Sequence, residues 1–431
     1  MKHTPLLSSL LALSFVCLNG VAPLLRVRAQ TNERKAQPFG SSLKRPKAAT
    51  GVADKTDGRE AAEGEASDEV ITVDTSLVLL DVLVTDATGK KPVAGLTRDD
   101  FVVAEDGRAH EVSFFALGDD AARLPRSIVL VFDRSGSQLA YLEASVEAAK
   151  KLVNRLAPTD EMAIVTDDVE LAVGFTRDKK RLKQTLDSLR KWTLEGYHTR
   201  SMQFSALLAT LRELVGAETR RPIIIFQTDG DEVSRLAGSP GGGWEQAAPS
   251  EYGMEDVYAE AERSRAKIYT VVPNDRLIGY TEEEAVVRAR LMLEKQRAAR
   301  EKIGDMWYGL RRLPPKPGGS GPQQFSVPAT AGMEELREKM ARRAAETFVQ
   351  GQIAADRVAE LTGGWTSFLE KPEQADEIYG RILADINSRY VLGYYPANKE
   401  ADGTLRRVRV EVRGRPEYQV QGRRSYRAAR R

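Results

Sequence analysis

From residue 127 to 272 the chain repeats one pattern, a short apolar run followed by a longer stretch with apolar positions three and four apart. The runs are 127–132 (SIVLVF), 162–165, 222–227 (PIIIFQ) and 267–272 (KIYTVV). Segments this short, rich in β-branched residues and without polar alternation, predict strands buried on both faces. Residues 169–175 predict a further strand, and the stretches between predict helices from 137 to about 155, at 179–191, near 204–214 and at about 254–265. Strand and helix in alternation predict an α/β domain, a Rossmann-like, doubly wound and mostly parallel sheet with helices on both faces.

The flanks follow a different rule. Residues 71–74, 76–85, 101–104 and 110–115 predict strands, with turn signals at Thr88-Gly89 and Asp106-Gly107. After a last helix at 375–387 come strands at 405–412 and 418–423. Neither flank holds enough strands for an independent sandwich, and isolated hairpins are marginal in water. The termini of a domain usually lie close together, so the two flanks are expected to pair into one discontinuous β-sandwich-like region. The expected division is 1–29 leader, 30–69 linker, 70–118 amino-terminal β region, 124–388 central domain and 389–431 carboxyl-terminal β region.

Composition narrows the function. The 431 residues are 42% hydrophobic and 29% charged with a net charge of +2, which gives no reason to expect nucleic acid as a partner. Lys2, the apolar run 6–16 and Val27-Arg28-Ala29 read as a secretory signal cleaved before Gln30, leaving no membrane span in the mature chain. The single cysteine, Cys17, falls inside that signal, so the mature chain is expected to lack a disulfide, a thiolate nucleophile and a cysteine metal site. Two histidines beyond the signal, His110 and His198, make zinc improbable. Residues 30 to about 68 carry almost no large apolar side chains and are expected to lack order. The Arg-rich end, with Arg423, Arg424, Arg427, Arg430 and Arg431, reads as a solvated basic edge.

The candidate chemistry sits where the first buried strand empties into Asp133-Arg134-Ser135-Gly136-Ser137. Open α/β sheets bind ligands at the carboxyl ends of central strands. Asp133, Ser135 and Ser137 alternate, so a tight loop can turn one carboxylate and two hydroxyls toward one point. Oxygen donors of that kind suit a hard cation such as Mg²⁺.

Asp-x-Ser-x-Ser in this context resembles the metal-ion-dependent adhesion site of von Willebrand factor type A domains. The phrases VTDATGKKPVAGLTRDDF, EDGR, DEMAIV, RYVLGYYP and GRRSYRA resemble a bacterial family of VWFA-related domain proteins. The likeness covers about residue 70 to the end, apart from about 276–345. That stretch interrupts the family pattern between KIYTVV and the helix ending in Thr362-Gly363-Gly364. It reads as an insertion with helical parts at 282–302 and 333–348, a PPKPGGSGP connector, and Trp307 as an aromatic anchor packing on its parent domain. The resemblance implies a Mg²⁺ or Mn²⁺ site. Asp229, after the strongest strand, would be its second carboxylate, and either Ser201 or Thr199 its third hydroxyl. It also implies a protein partner that offers an Asp or Glu side chain to the metal, as in cell adhesion.

Two other classes compete with this reading. A hydrolase built on Ser135 or Ser201 with His198 has no nucleophile-elbow pattern around either serine, and no cofactor fingerprint is present. A structural envelope protein with an idle site would share the fold and bind neither metal nor partner.

Overall fold

The computed structural model describes residues 38–43, 77–120, 124–195, 201–215, 220–236, 252–310 and 331–429. In chain order the elements are β1 (Val78–Thr85), β2 (Phe101–Glu105), β3 (Arg108–His110), β4 (Phe114–Leu117), β5 (Arg126–Phe132) and α1 (Leu139–Arg155). Next come β6 (Glu161–Thr166), β7 (Glu170–Thr176), α2 (Lys179–Glu195), α3 (Gln203–Glu213), β8 (Arg221–Gln227), α4 (Val233–Leu236), α5 (Met254–Arg263) and β9 (Lys267–Val272). The chain continues with α6 (Glu282–Leu310), α7 (Ala331–Leu361), β10 (Thr366–Phe368), α8 (Ala375–Ser388), β11 (Tyr390–Tyr394), β12 (Leu405–Val412), β13 (Gln419–Gln421) and β14 (Ser425–Arg427). The expected strand at 71–74 and the serine-loop residues 196–200 lie outside the described residues.

The central sheet runs β10-β9-β8-β5-β6-β7, parallel throughout except for the edge strand β7. Period-two geometry explains why β5 had no polar alternation. Ile128, Leu130 and Phe132 face one core with α1, α2 and α8, while Val129 and Val131 face another with α3, α5 and α7. A strand covered on both sides favours apolar residues on both faces; all seven residues of β5 are buried, and from Ile128 to Phe132 every one is apolar.

The flanking strands form two four-stranded sheets, β13-β1-β11-β4 and β14-β12-β2-β3. Each mixes strands from both ends of the chain: Val78 pairs with Tyr394, and Phe101 with Val412. Their inner faces share one core of Leu80, Val82, Val84, Phe101, Val103, Tyr390, Leu392 and Val408. The expected sandwich is present.

Two single-strand expectations need correction. The stretch 110–115 is split between β3 and β4, which lie in different sheets, and 418–423 is replaced by β13 and β14, also in different sheets. In both places the chain turns the corner of the sandwich, so inward and outward positions exchange mid-run and a local pattern cannot show it.

Where the sandwich meets the central domain the contact is ionic. Asp81 of β1 pairs with Arg221 at the start of β8, and the Lys267 ammonium donates to the Asp81 carbonyl at 3.0 Å and the Gly363 carbonyl at 2.9 Å. Arg389 and Tyr269 both donate to Asp385, at 2.7 and 2.6 Å. Burial raises the Asp81 carboxyl, but Arg221, Lys267 and Arg389 outweigh it and hold the group below its ordinary value. Burial, and then Arg389, push Lys267 well down.

Three further differences concern the insertion, the linker and the tail. The second insertion helix does not stop at 348: α7 runs unbroken to Leu361. Trp307 falls in α6, but its side chain lies outside the described residues. In the stretch expected to lack order, Phe39 and Leu43 pack against the core beside α3, and Glu213 accepts the Gly40 and Ser42 N–H groups, each at 2.9 Å. Two large apolar residues and one carboxylate are enough to dock this turn. The Arg-rich tail is only partly a solvated edge. Arg423 donates to the carbonyls of Ala261 and Ala266, and Arg427 to Glu262, which staples the tail to α5.

Candidate metal centre

The site is built on two adjacent strands. β5 and β8 pair in register up to Phe132 and Gln227, so the residues that follow them emerge side by side at the carboxyl edge of the sheet. Asp133 continues the ladder by donating its N–H to the Gln227 carbonyl at 3.1 Å, and its Oδ1 accepts the Ser135 N–H at 2.9 Å. That short loop aims the serines back at the strand end. The hydroxyls of Ser135 and Ser137 lie 2.9 Å apart, and Ser137 Oγ donates to Asp229 Oδ2 at 2.5 Å. Asp133, Ser135, Ser137 and Asp229 are thus brought into one hydrogen-bonded cluster.

The third hydroxyl is less directly placed. Ser201 is buried in the segment leading into α3, and its hydroxyl is turned toward Asp167 without a well-formed hydrogen bond. No hydrogen bond links that hydroxyl to the other four residues. Thr199, the alternative, lies outside the described residues, as does His198. His110 is remote from the site, its ring 5.0 Å from that of Tyr394 in the sandwich.

Six residues complete the site that the sequence reading did not single out. Gln138 donates to Asp229 Oδ2 at 2.9 Å. Gln203 Nε2 lies 2.9 Å from Asp133 Oδ2 and 3.0 Å from both Asp229 Oδ1 and Asp231 Oδ1. Asp167 accepts the Arg134 N–H at 3.1 Å, and Arg134 Nη2 reaches Asp168 at 2.6 Å, so the arginine is turned to the β6–β7 turn. Glu232 accepts the Phe204 N–H at 2.5 Å and the Ser205 N–H at 3.1 Å, capping the first turn of α3 from outside the helix. The strand-end rule applied to β6 would have found Asp167 and Asp168. Nothing local marks Gln138 and Gln203, since a helix-start glutamine ordinarily faces water.

The electrostatics are one-sided. Asp133, Asp167, Asp229 and Glu232 are all nearly inaccessible to solvent. Burial, then the charges of Asp229 and Asp167, push the Asp133 carboxyl well above its ordinary range. Burial, then Asp231, push Asp229 up to about 7, and burial pushes Glu232 to about 7. The cationic contacts are peripheral to Asp133 and Asp229: Arg134 pairs with Asp168 and lies 3.9 Å from Asp167, and Arg235 lies 3.5 Å from Asp231.

This donor set fits a divalent cation. Two buried carboxylates with two serine hydroxyls beside them offer hard oxygen ligands and surplus negative charge. Among the described residues no three His, Cys, Asp or Glu side chains are arranged to hold a metal by themselves, so hydroxyls would have to complete the ligand set.

A second backbone closes the site from the side. Gly230, at φ +77°, follows Asp229, and a Cβ there would fall 2.6 Å from Gly351 of α7. A Cβ on Gly351 would fall 2.6 Å from the Gly230 carbonyl oxygen and 3.0 Å from that of Asp229. Only glycine at both positions allows so close a passage.

A six-stranded sheet with one antiparallel edge, and Asp-x-Ser-x-Ser at its central strand facing a second aspartate, define a von Willebrand factor A-like fold. No family model matches the chain, and no curated protein matches it. Solved structures similar to it include an aerotolerance-related membrane protein from Bacteroides fragilis NCTC 9343, at 13% identity and TM-score 0.34, over 61% of this chain and 98% of that one. The vWF domain of the type V pili tip protein Mfa5 from Porphyromonas gingivalis is similar at 20% identity and TM-score 0.22, over 25% of this chain and 38% of that one. The manganese-loaded TRAP protein of Plasmodium vivax is similar at 17% identity and TM-score 0.25, over 40% and 61%. With identities and scores this low, the class rests on this chain's own strand order and rim residues.

Proposed function

We propose that the protein is an exported, metal-ion-dependent binding module that captures a partner protein through an acidic side chain. The observation that carries this reading is the convergence of two buried carboxylates and two hydroxyls: Asp133 accepts the Ser135 N–H, the Ser135 and Ser137 hydroxyls adjoin, and Ser137 donates to Asp229. Asp133, Ser135, Ser137 and Asp229 would hold Mg²⁺ or Mn²⁺, with Ser201 or Thr199 as the remaining hydroxyl. The bound cation would supply a Lewis-acidic position that an outside carboxylate can fill. The chain's own residues do the rest. Arg134 fastens the serine loop to the β6–β7 turn, Glu232 fixes the start of α3, and the Gly230–Gly351 contact sets the Asp229 loop against α7.

Export is supported by the leader at 1–29. Among the described residues no helix is long and apolar enough to cross a membrane.

A structural role with an idle site is the second reading. It is favoured by one observation: both oxygens of Asp133 and of Asp229 already accept hydrogen bonds from the chain's own donors. Calorimetry with Mg²⁺ and Mn²⁺ on the wild-type chain and on Asp133→Ala separates the two. Heat from the wild type that is absent in the variant supports the metal-dependent module. No heat from either protein replaces it with the structural role.

A further inference from the structure

Gln203 is the first residue of α3 and is fully buried, with its amide nitrogen at the convergence of three carboxylates. Asp133 Oδ2, Asp229 Oδ1 and Asp231 Oδ1 all lie 2.9–3.0 Å from that one nitrogen. An amide NH₂ carries two hydrogens, so three anionic oxygens compete for two donors. The orientation of the amide is fixed by chemistry. Its oxygen accepts the Glu232 N–H at 3.3 Å, and the reverse orientation would set that oxygen against the three carboxylates. The helix start that carries it is held in turn, because Glu232 accepts the N–H groups of Phe204 and Ser205 and the Ser205 hydroxyl.

A neutral donor at the focus of three carboxylates gives them shared hydrogen bonds without neutralising their charge. It makes the carboxylate side of the site self-sufficient without metal and occupies space that a cation, or the water bound to it, would need. We propose that the Gln203 amide is a built-in competitor for the cation. It holds the carboxylates together in the metal-free protein and has to be displaced when metal binds, so it sets the metal affinity of the site. The proposal rests on the metal reading above and adds to it one residue outside the expected ligand set.

The competitor role makes a prediction opposite to that of a supporting role. If the amide merely steadied the carboxylates around a bound metal, removing it would weaken binding. If it competes, removing it strengthens binding while costing the metal-free protein its hydrogen bonds. The test is calorimetric titration of the purified chain with Mg²⁺ and with Mn²⁺, alongside thermal unfolding without metal, for wild type, Gln203→Ala and Gln203→Glu. Gln203→Ala is expected to bind Mg²⁺ about tenfold more tightly than wild type, the scale of one charge-assisted hydrogen bond. Its metal-free unfolding midpoint is expected to fall. Gln203→Glu keeps the length of the side chain but replaces the donor with another carboxylate. It should bind more tightly than wild type and lose still more metal-free stability, and it carries the test alone if the alanine variant does not fold.

Affinity equal to or weaker than wild type in the folded variants overturns the competitor role and leaves Gln203 as a support. If wild type and both variants give neither heat nor a metal-induced rise in midpoint, the metal reading itself fails, and this inference fails with it.

Discussion

Strand β8 carries two unlike polar clusters, one at each end. At its start Arg221 reaches Asp81, and with Lys267, Arg389 and Asp385 forms a buried joint of three cations and two carboxylates. Past its end Asp229 meets Asp133 and Asp231 around a single amide. Apart from Asp231, which is partly exposed, both clusters are largely shielded from water, and each departs from neutrality in its own direction. At the joint, backbone carbonyls absorb the surplus positive charge: Lys267 and Arg389 donate to Asp81 O, and Arg221 to Ile386 O at 3.0 Å. At the rim the surplus is negative, the donors are neutral, and burial drives the carboxyls toward protonation. A cluster whose charges are answered by fixed partners serves as a weld. One whose charge is met mainly by neutral donors is open to an outside ligand.

The sharpest way to break this contrast is to remove one aspartate from each cluster. Asp81→Ala leaves three buried cations facing Asp385 alone and is expected to cost about 3–5 kcal/mol. Asp133→Ala removes a carboxyl that its neighbours repel and is expected to change metal-free stability by less than about 1 kcal/mol. Urea unfolding of both variants measures the difference, and equal losses would erase the distinction between the two ends of β8.

Metal should act on the rim and not on the joint, with an effect that depends on pH. Asp133 and Asp229 sit above the ordinary carboxylate value, Asp229 at about 7. Between about pH 4 and 7 the folded chain therefore holds protons that the unfolded chain has released, so metal-free stability falls as pH rises through that window. The same protons compete with the cation. Mg²⁺ at a hundredfold excess over its dissociation constant should add about 2.7 kcal/mol at pH 8. By pH 5 this increment should be gone. A thermal-shift series with and without Mg²⁺ reads it directly, and an increment independent of pH would exclude these carboxylates as its source.

Gly351→Ala tests the side wall of the rim. The new Cβ would overlap the carbonyls of Gly230 and Asp229, so a loss of about 1–3 kcal/mol is expected, with weaker Mg²⁺ binding because the Asp229 loop is pushed aside. Unchanged Mg²⁺ affinity in a folded variant would show that α7 does not bear on the site. The smallest expected effect is that of Ser201→Ala, within about 0.5 kcal/mol in stability, since its hydroxyl closes no well-formed bond. Compared with Thr199→Ala by calorimetry, the variant that weakens Mg²⁺ binding identifies the third hydroxyl.

The double winding of the central domain was legible because strands covered on both faces are apolar over most of their length, as Ile268, Tyr269, Val271 and Val272 are in β9. Asp133, Ser135, Ser137 and Asp229 were legible because they follow such strands directly in the chain. The joint was not. Asp81 alternates with Leu80 and Val82 and reads as a solvent-facing residue, and only the docking of β1 on the central domain buries it. Gln203 was hidden for the same reason, because a polar residue at a helix start becomes a site residue only when a sheet edge closes over it. The sheet-switching at β3/β4 and β13/β14 follows from which partner each short strand finds: β3 and β14 pair with the nearby β2 and β12, while β4 and β13 pair with β11 and β1 from the other end of the chain, where no local pattern can show it.

That distance also orders events in time. Tyr394 donates to Glu105 across 289 residues, and Tyr390 to the Val93 carbonyl across 297. Closing a loop of that length from a fully unfolded chain would cost about 5 kcal/mol in entropy before a single sandwich contact could repay it. A folded central domain removes most of that cost, because Arg126 at its entry and Asn387 at its exit are already joined by a 2.6 Å hydrogen bond. β11 then starts directly after Asn387, and the loop left for β1 to close is only the segment from Thr85 to Arg126. The sandwich is therefore expected to form late in folding, with the central domain as its template. A refolding experiment that follows Tyr390 and Tyr394 should see them reach their buried state after the parallel sheet has formed, as a separate and slower phase.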